Sequence, residues 1–178
     1  MATIAPPSTR TTYHYFNPDG TPYCDVFRTD YASGTGPNGR DKDCITLPAG
    51  LPGPHPLYRA ERLAGLPAET PVYIVEGEKC VEALEAVGLN AVTSKGGSKS
   101  ANRTDWSPLQ EFRHAYILPD NDEPGAGYAR DVADILSGMP GSREVIVCDL
   151  PGLPVKADVF DYLQDHTIDD LMAVIAEH

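Results

Sequence analysis

From residue 72 onward the chain alternates short apolar runs with longer stretches whose apolar residues recur at helical spacing, and no other feature constrains the fold as strongly. The short runs are VYIV (72–75), NAVT (90–93), AYILP (115–119) and EVIVCDL (144–150). KCVEALEAV (79–87), stopped by Gly88, and GYARDVADIL (127–136) are the amphipathic stretches. A short uninterrupted apolar run suits a strand covered on both faces. Strands that alternate with helices are joined by crossovers, so the expected fold class is α/β: a mostly parallel four-stranded sheet with helices on both faces. One or two further amphipathic helices are expected between Val159 and Ile175.

Ahead of this region the pattern differs. Residues 1–11 are rich in Pro, Ser and Thr and predict a disordered arm. YHYF (13–16) and YCDVFR (23–28) flank the turn NPDG (17–20), a hairpin signal, and CITL (44–47) predicts a third strand after the loop at 33–43. Residues 12–56 therefore read as a small N-terminal β appendage ending in the linker PAGLPGPHP (48–56). Residues 57–178 read as the α/β domain, opening with a short helix over LYRAERLAG (57–65). At 178 residues, 41% hydrophobic and 22% charged, the chain supports one core plus an appendage. No run approaches the roughly eighteen apolar residues of a membrane span. The N-terminus also lacks the basic and apolar regions of a secretion signal, so a cytoplasmic home and no membrane partner are expected. Cys24, Cys44, Cys80 and Cys148 form no CxxC pair and read as reduced thiols.

In open α/β sheets ligands gather at the carboxyl ends of the strands, so the residues just after Val75, Thr93, Pro119 and Cys148 carry the interest. EGEK (76–79) follows the first strand and DND (120–122) the third. Glu76, Asp120 and Asp122 thus converge on one sheet edge, where carboxylates repel one another unless a hard cation joins them. Mg²⁺ favours such oxygen ligands and keeps waters that a phosphate can replace. After the second strand, SKGGSKSANR (94–103) offers Gly96 and Gly97 with free backbone N–H groups beside Lys95, Lys99 and Arg103, a combination suited to a phosphate or an incoming nucleotide. Lys79 opens a helix, where a positive charge opposes the dipole, so it reads either as held by Glu76 or a substrate or as a plain surface lysine. A haloacid-dehalogenase phosphatase also uses a strand-end DxD, but it wants Thr or Val where Pro124 stands. A calcium loop is disfavoured by the strand ahead of DND and by the same proline. Trp106 and Tyr116 read as core residues, and the five histidines show no ligand spacing.

Taken together, a strand ending in Glu-Gly, a glycine-bearing loop after the second strand and a DxD after the third resemble the Toprim domain of bacterial-type primases, topoisomerases, recombination-repair proteins and small nucleases. VEGEK (75–79), KGG (95–97) and LPDNDEPG (118–125) resemble more closely the Toprim segment of phage and plasmid primases and primase-helicases, over about residues 57–165. The resemblance implies a Rossmann-like Toprim fold, with Glu76 as general base or acid and metal ligand and Asp120 and Asp122 as the principal metal ligands. It places Asp158 and Asp161, in KADVFDYL (156–163), where such primases carry further acidic residues. It implies Mg²⁺ or Mn²⁺ as cofactor, DNA or RNA and nucleotides as partners, and a replicative helicase or a further domain of a longer protein as a companion. One position departs from the pattern: Cys80 stands where primase-like members carry an aspartate. A thiol is a poor Mg²⁺ ligand, so a weak or absent second metal is expected, with Glu78 as a partial substitute.

Three functions remain open on these residues: primase-type nucleotidyl transfer in DNA replication, phosphodiester hydrolysis by the same site, and a non-catalytic module that binds nucleic acid or a replication partner. The net charge of -12 opposes a general nucleic-acid surface. Either the acids gather at a metal site, or another chain or domain supplies the basic groove.

Overall fold

The computed structural model describes residues 9–178. Residues 1–8 of the expected arm lie outside the described residues, and residues 9–11 are not an arm but the start of β1 (Thr9–Phe16). They are held there because Thr9, Arg10 and Thr11 pair with Asp30, Thr29 and Arg28 of β2 (Pro22–Asp30), which extends the hairpin beyond its apolar centre. The turn between them is closed by Asp19, whose carboxylate accepts from the Thr21 N–H (2.9 Å) and hydroxyl (2.6 Å). β3 (Lys42–Leu47) completes an antiparallel sheet in the order β1-β2-β3. Alternation along these strands turns Tyr13, Tyr15, Cys24 and Val26 inward.

A two-residue strand, β4 (His55–Pro56), leads into residues 57–65. The helix expected there does not form beyond one 3₁₀ turn at Ala60–Arg62. Leu57 and Tyr58 are fully buried and the Tyr58 N–H donates to the Thr93 carbonyl (2.9 Å), so tertiary burial takes the start of the stretch out of any helix. The elements that follow are β5 (Val72–Val75), α1 (Glu78–Ala86), β6 (Ala91–Thr93), β7 (Thr104–Asp105), β8 (His114–Ile117), α2 (Glu123–Gly138), β9 (Glu144–Val147), α3 (Val159–Asp165) and α4 (Ile168–Ala176). β7 pairs with β4, and the other four strands form one parallel sheet in the order β6-β5-β8-β9.

All four residues of β5 are buried. Val72 and Ile74 face a cluster that includes Tyr128, Val132 and Leu136 of α2. Tyr73 and Val75 face the opposite cluster, with Cys80, Val81 and Leu84 of α1 and Tyr162 and Leu171 of α3 and α4. Each fully buried aliphatic side chain contributes about 1.5–3 kcal/mol, so this strand anchors both layers. The N-terminal sheet packs into the second cluster through Tyr13, Tyr15, Cys24 and Val26. Tyr15 also donates from its hydroxyl to Glu78 (2.8 Å). Trp106 is buried with its indole N–H on the Ala101 carbonyl (2.9 Å), and Tyr116 stacks on Tyr73, so both are packing residues. Among the described residues no helix is long and apolar enough to cross a membrane.

Candidate functional site

β5 crosses to β6 on one side and β8 to β9 on the other, so the winding reverses between β5 and β8. A crevice opens at such a switch point, outside the carboxyl ends of the strands. Glu76 follows β5 directly and Asp120 follows β8 after Leu118 and Pro119, so both stand at this crevice. The Asp120 N–H points at Glu76 Oε1 (3.3 Å). Asp122 caps α2, accepting the Gly125 N–H (2.8 Å), which starts the helix at Glu123, before the GYARDVADIL stretch. Pro124 sits in the first turn, where its missing N–H costs nothing, so Pro124-Gly125 opens the helix instead of breaking it. Gly125 is required for space: a Cβ there would collide with the Asp120 carbonyl and with Glu76 Oε1.

A cavity of about 400 Å³ occupies the crevice. Glu76, Asp120, Asp122 and Asp158 line it, together with Lys79, Cys80 and the loop residues Gly96, Gly97 and Ser98. Burial, reinforced by the Asp120 charge, pushes the Glu76 carboxyl up to about 7. Burial, reinforced by Asp158 and Asp122, pushes Asp120 up to about 6. Burial also raises the Cys80 thiol well above its ordinary range. Four carboxylates around one cavity, two of them driven toward their neutral form by burial and then by the charge of neighbouring carboxylates, are a donor set that a hard divalent cation fits.

The grouping differs from the sequence expectation in detail. Asp158, the N-cap of α3, stands close to Asp120, and a carboxylate oxygen of each lies within 4.8 Å of the Cys80 sulfur. Asp161 is not brought to the cavity: its carboxylate accepts the Asp158 N–H (3.1 Å) in a reciprocal cap, and it lines a separate hollow with Tyr162 and His166. Lys79 pairs not with Glu76 but with Asp158 (3.3 Å), with its ammonium 4.0 Å from the centre of the Phe160 ring. Gly96 and Gly97 reach the cavity because both take left-handed backbone conformations (φ 99° and 73°) that fold the loop toward Glu76. Lys95 lines the adjoining end of the cleft, whereas Lys99 is exposed and Arg103 turns to His55 (3.5 Å), and neither lines the cleft.

Asn121, between the two aspartates, binds the loop that delivers Asp158. Its N–H donates to the Ala157 carbonyl (2.9 Å), its carbonyl accepts from the Lys156 N–H (2.9 Å), and its side-chain amide donates to the Leu153 (2.7 Å) and Pro154 (3.2 Å) carbonyls.

Sequence reasoning missed two residues of the opposite wall. Arg28 of β2 and Lys42 of β3 line the cavity from the N-terminal sheet, giving the acidic floor a cationic roof. Arg28 is oriented by a two-pronged contact with Asp30 (2.7 and 3.0 Å). The signal was available, since period-two alternation puts Arg28 on the same face as the buried Cys24 and Val26.

No family model and no curated protein matches the sequence. Solved structures match in fold. The primase fragment of the bacteriophage T7 primase-helicase protein aligns with a TM-score of 0.68 at 17% identity, over 93% of this chain and 62% of that one. The E. coli primase catalytic core aligns with a TM-score of 0.66 at 19% identity, over 94% and 52%. A DnaG primase catalytic domain bound to ssDNA gives 0.66 at 18% identity, over the same shares. The chain thus spans between 52% and 62% of the length of these primase structures. With its four parallel strands, its two helical layers and its N-terminal sheet over the crevice, the chain has the fold of the Toprim-type primase catalytic core.

Proposed function

We propose that this chain performs divalent-metal-dependent nucleotidyl transfer of the primase kind in DNA replication. One observation carries the reading: four carboxylates at the switch point face Arg28, Lys42 and the Gly96-Gly97 loop across a single cavity, so that one cleft offers a metal floor and a phosphate roof. A divalent ion bound among Glu76, Asp120, Asp122 and Asp158 would polarise a phosphoryl oxygen and offset charge on the leaving pyrophosphate. Glu76, poised near neutrality, accepts the proton of the attacking hydroxyl. Arg28 and Lys42 hold the nucleotide's phosphates, and the Gly96 and Gly97 N–H groups approach them from a left-handed backbone that other residues rarely adopt. Lys95 guards the same cleft farther out.

The likeness to a primase-helicase fragment and to a primase structure holding ssDNA supports single-stranded DNA as template and a helicase, or a further domain, as companion. With a net charge of -12 the chain holds DNA weakly alone, and the companion supplies the rest of the basic groove. The test is primer synthesis by the chain, with and without a helicase, on single-stranded DNA with nucleotides and Mg²⁺ or Mn²⁺. Activity should vanish in Asp120→Asn and Glu76→Gln. Metal-dependent nicking without synthesis would replace this reading with a nuclease, and DNA binding with neither activity would leave a non-catalytic module.

A further inference from the structure

One helical turn beyond Glu76, a sulfur stands among carboxylates. Cys80 Sγ and one oxygen each of Asp120 and Asp158 lie within 4.8 Å of one another on the cavity wall. The three come from separate elements, α1, the end of β8 and the cap of α3, so the geometry is set by the packed fold and not by one flexible loop. The thiol is buried beside these carboxylates, packed in the core shared by α1 and α3. Mg²⁺ does not select such a set, because it requires hard oxygen donors in near-octahedral array. Zn²⁺, Co²⁺ and Cd²⁺ take a thiolate with carboxylates in four-coordinate sites, with a position left for water. Ligand atoms in such a site stand about 3.5 Å apart, so the side chains need move by only about an ångström.

We propose that Cys80, Asp120 and Asp158 form a site for a thiophilic dication of the zinc or cobalt(II) class, exclusive with the Mg²⁺ or Mn²⁺ ion of catalysis because both claim Asp120. The exclusion rests on the function proposed above; the site itself does not. On binding, the Cys80 S–H bond breaks, a sulfur–metal bond forms and the proton passes to solvent, with no change of oxidation state. Lys79 gives up its contact with Asp158 in the same step.

The test is titration of the full chain with Co²⁺, read by the sulfur-to-cobalt charge-transfer band and by calorimetry. We expect the band in the unaltered chain and in Glu76→Gln, its loss in Cys80→Ser, and its weakening in Asp158→Asn, which keeps a competent cap on α3. Zn²⁺ should bleach the band at stoichiometric amounts, and Mg²⁺ only in large excess. Cys80→Asp should weaken Co²⁺ binding about tenfold or more while tightening Mn²⁺. A band that survives Cys80→Ser would assign the sulfur to another thiol, such as the exposed Cys44, and overturn the proposal. Calorimetric binding with no band would overturn it too, and would leave the carboxylate centre standing. A Cys80-dependent band in a chain that makes no primers would uphold this site and sink the primase reading. Should Cys80→Ser lose its circular dichroism, an unchanged band in Asp158→Asn would refute the proposal by itself.

Discussion

Asp120 and Glu76 keep their protons to a pH at which free carboxyls have lost them, and this sets the metal-free protein's response to pH. Each group titrates higher in the folded chain than its ordinary value, about 6 against 3.8 for Asp120 and about 7 against 4.5 for Glu76. Folding therefore takes up protons between those values, and the stability present at low pH drains away as pH rises through them. Asp120→Asn removes that loss. At pH 7.5 without metal we expect the variant to melt higher by about 2–4 °C, an effect of about 1 kcal/mol once solvent screening is allowed for. The difference should shrink toward zero near pH 4. Millimolar Mg²⁺ should reverse it by raising the melting temperature of the unaltered chain alone. A variant no more stable than its parent at pH 7.5 would show that these carboxyls do not crowd one another.

At the scale of elements, two short segments position the acids. Gly125 lets the first turn of α2 lie against Asp120 and Glu76. Gly125→Ala should cost about 1–3 kcal/mol in chemical denaturation and, by displacing Glu76, abolish Mn²⁺ binding in calorimetry; retained affinity would mean that Glu76 is not a ligand. Asn121→Ala should cost less stability, about 1 kcal/mol, because its partners are exposed carbonyls, yet weaken Mn²⁺ binding severalfold by freeing the loop ahead of Asp158. Equal affinity in that variant would argue that Asp158 finds its place unaided. These elements also show what the sequence discloses. Strands β5, β6, β8 and β9 were legible because uninterrupted apolar runs have few other fates in a protein this size, and Glu76, Asp120 and Asp122 stood out because they follow two of those runs directly. The expected helix at 57–65 failed because burial of Leu57 and Tyr58 outweighs local propensity, a balance no local window contains. The early start of α2, ahead of the stretch expected at 127–136, lies in a segment without apolar periodicity, where Pro124 serves the first turn and Gly125 serves the site. Asp158 was reached only through family resemblance, since nothing local to α3 distinguishes a helix cap from a ligand.

The whole molecule adds what no element has alone. Arg28 and Lys42 face the acids only because the N-terminal sheet shares a core with α1, α3 and α4 through Tyr13, Tyr15, Cys24 and Val26. A fragment spanning 57–178 should therefore expose Tyr58, Val81 and Leu84, bind a hydrophobic dye and lose its cooperative melt; a sharp transition in that fragment would establish the α/β part as an independent domain. The cleft draws its walls from β2 near one end of the chain and from the cap of α3 near the other. During synthesis the ribosome delivers Arg28 well before Asp158, so a nascent chain that has emerged only as far as α2 carries the cationic roof without the finished acidic floor. Competence to engage metal and phosphate together arrives in a single step, when α3 docks.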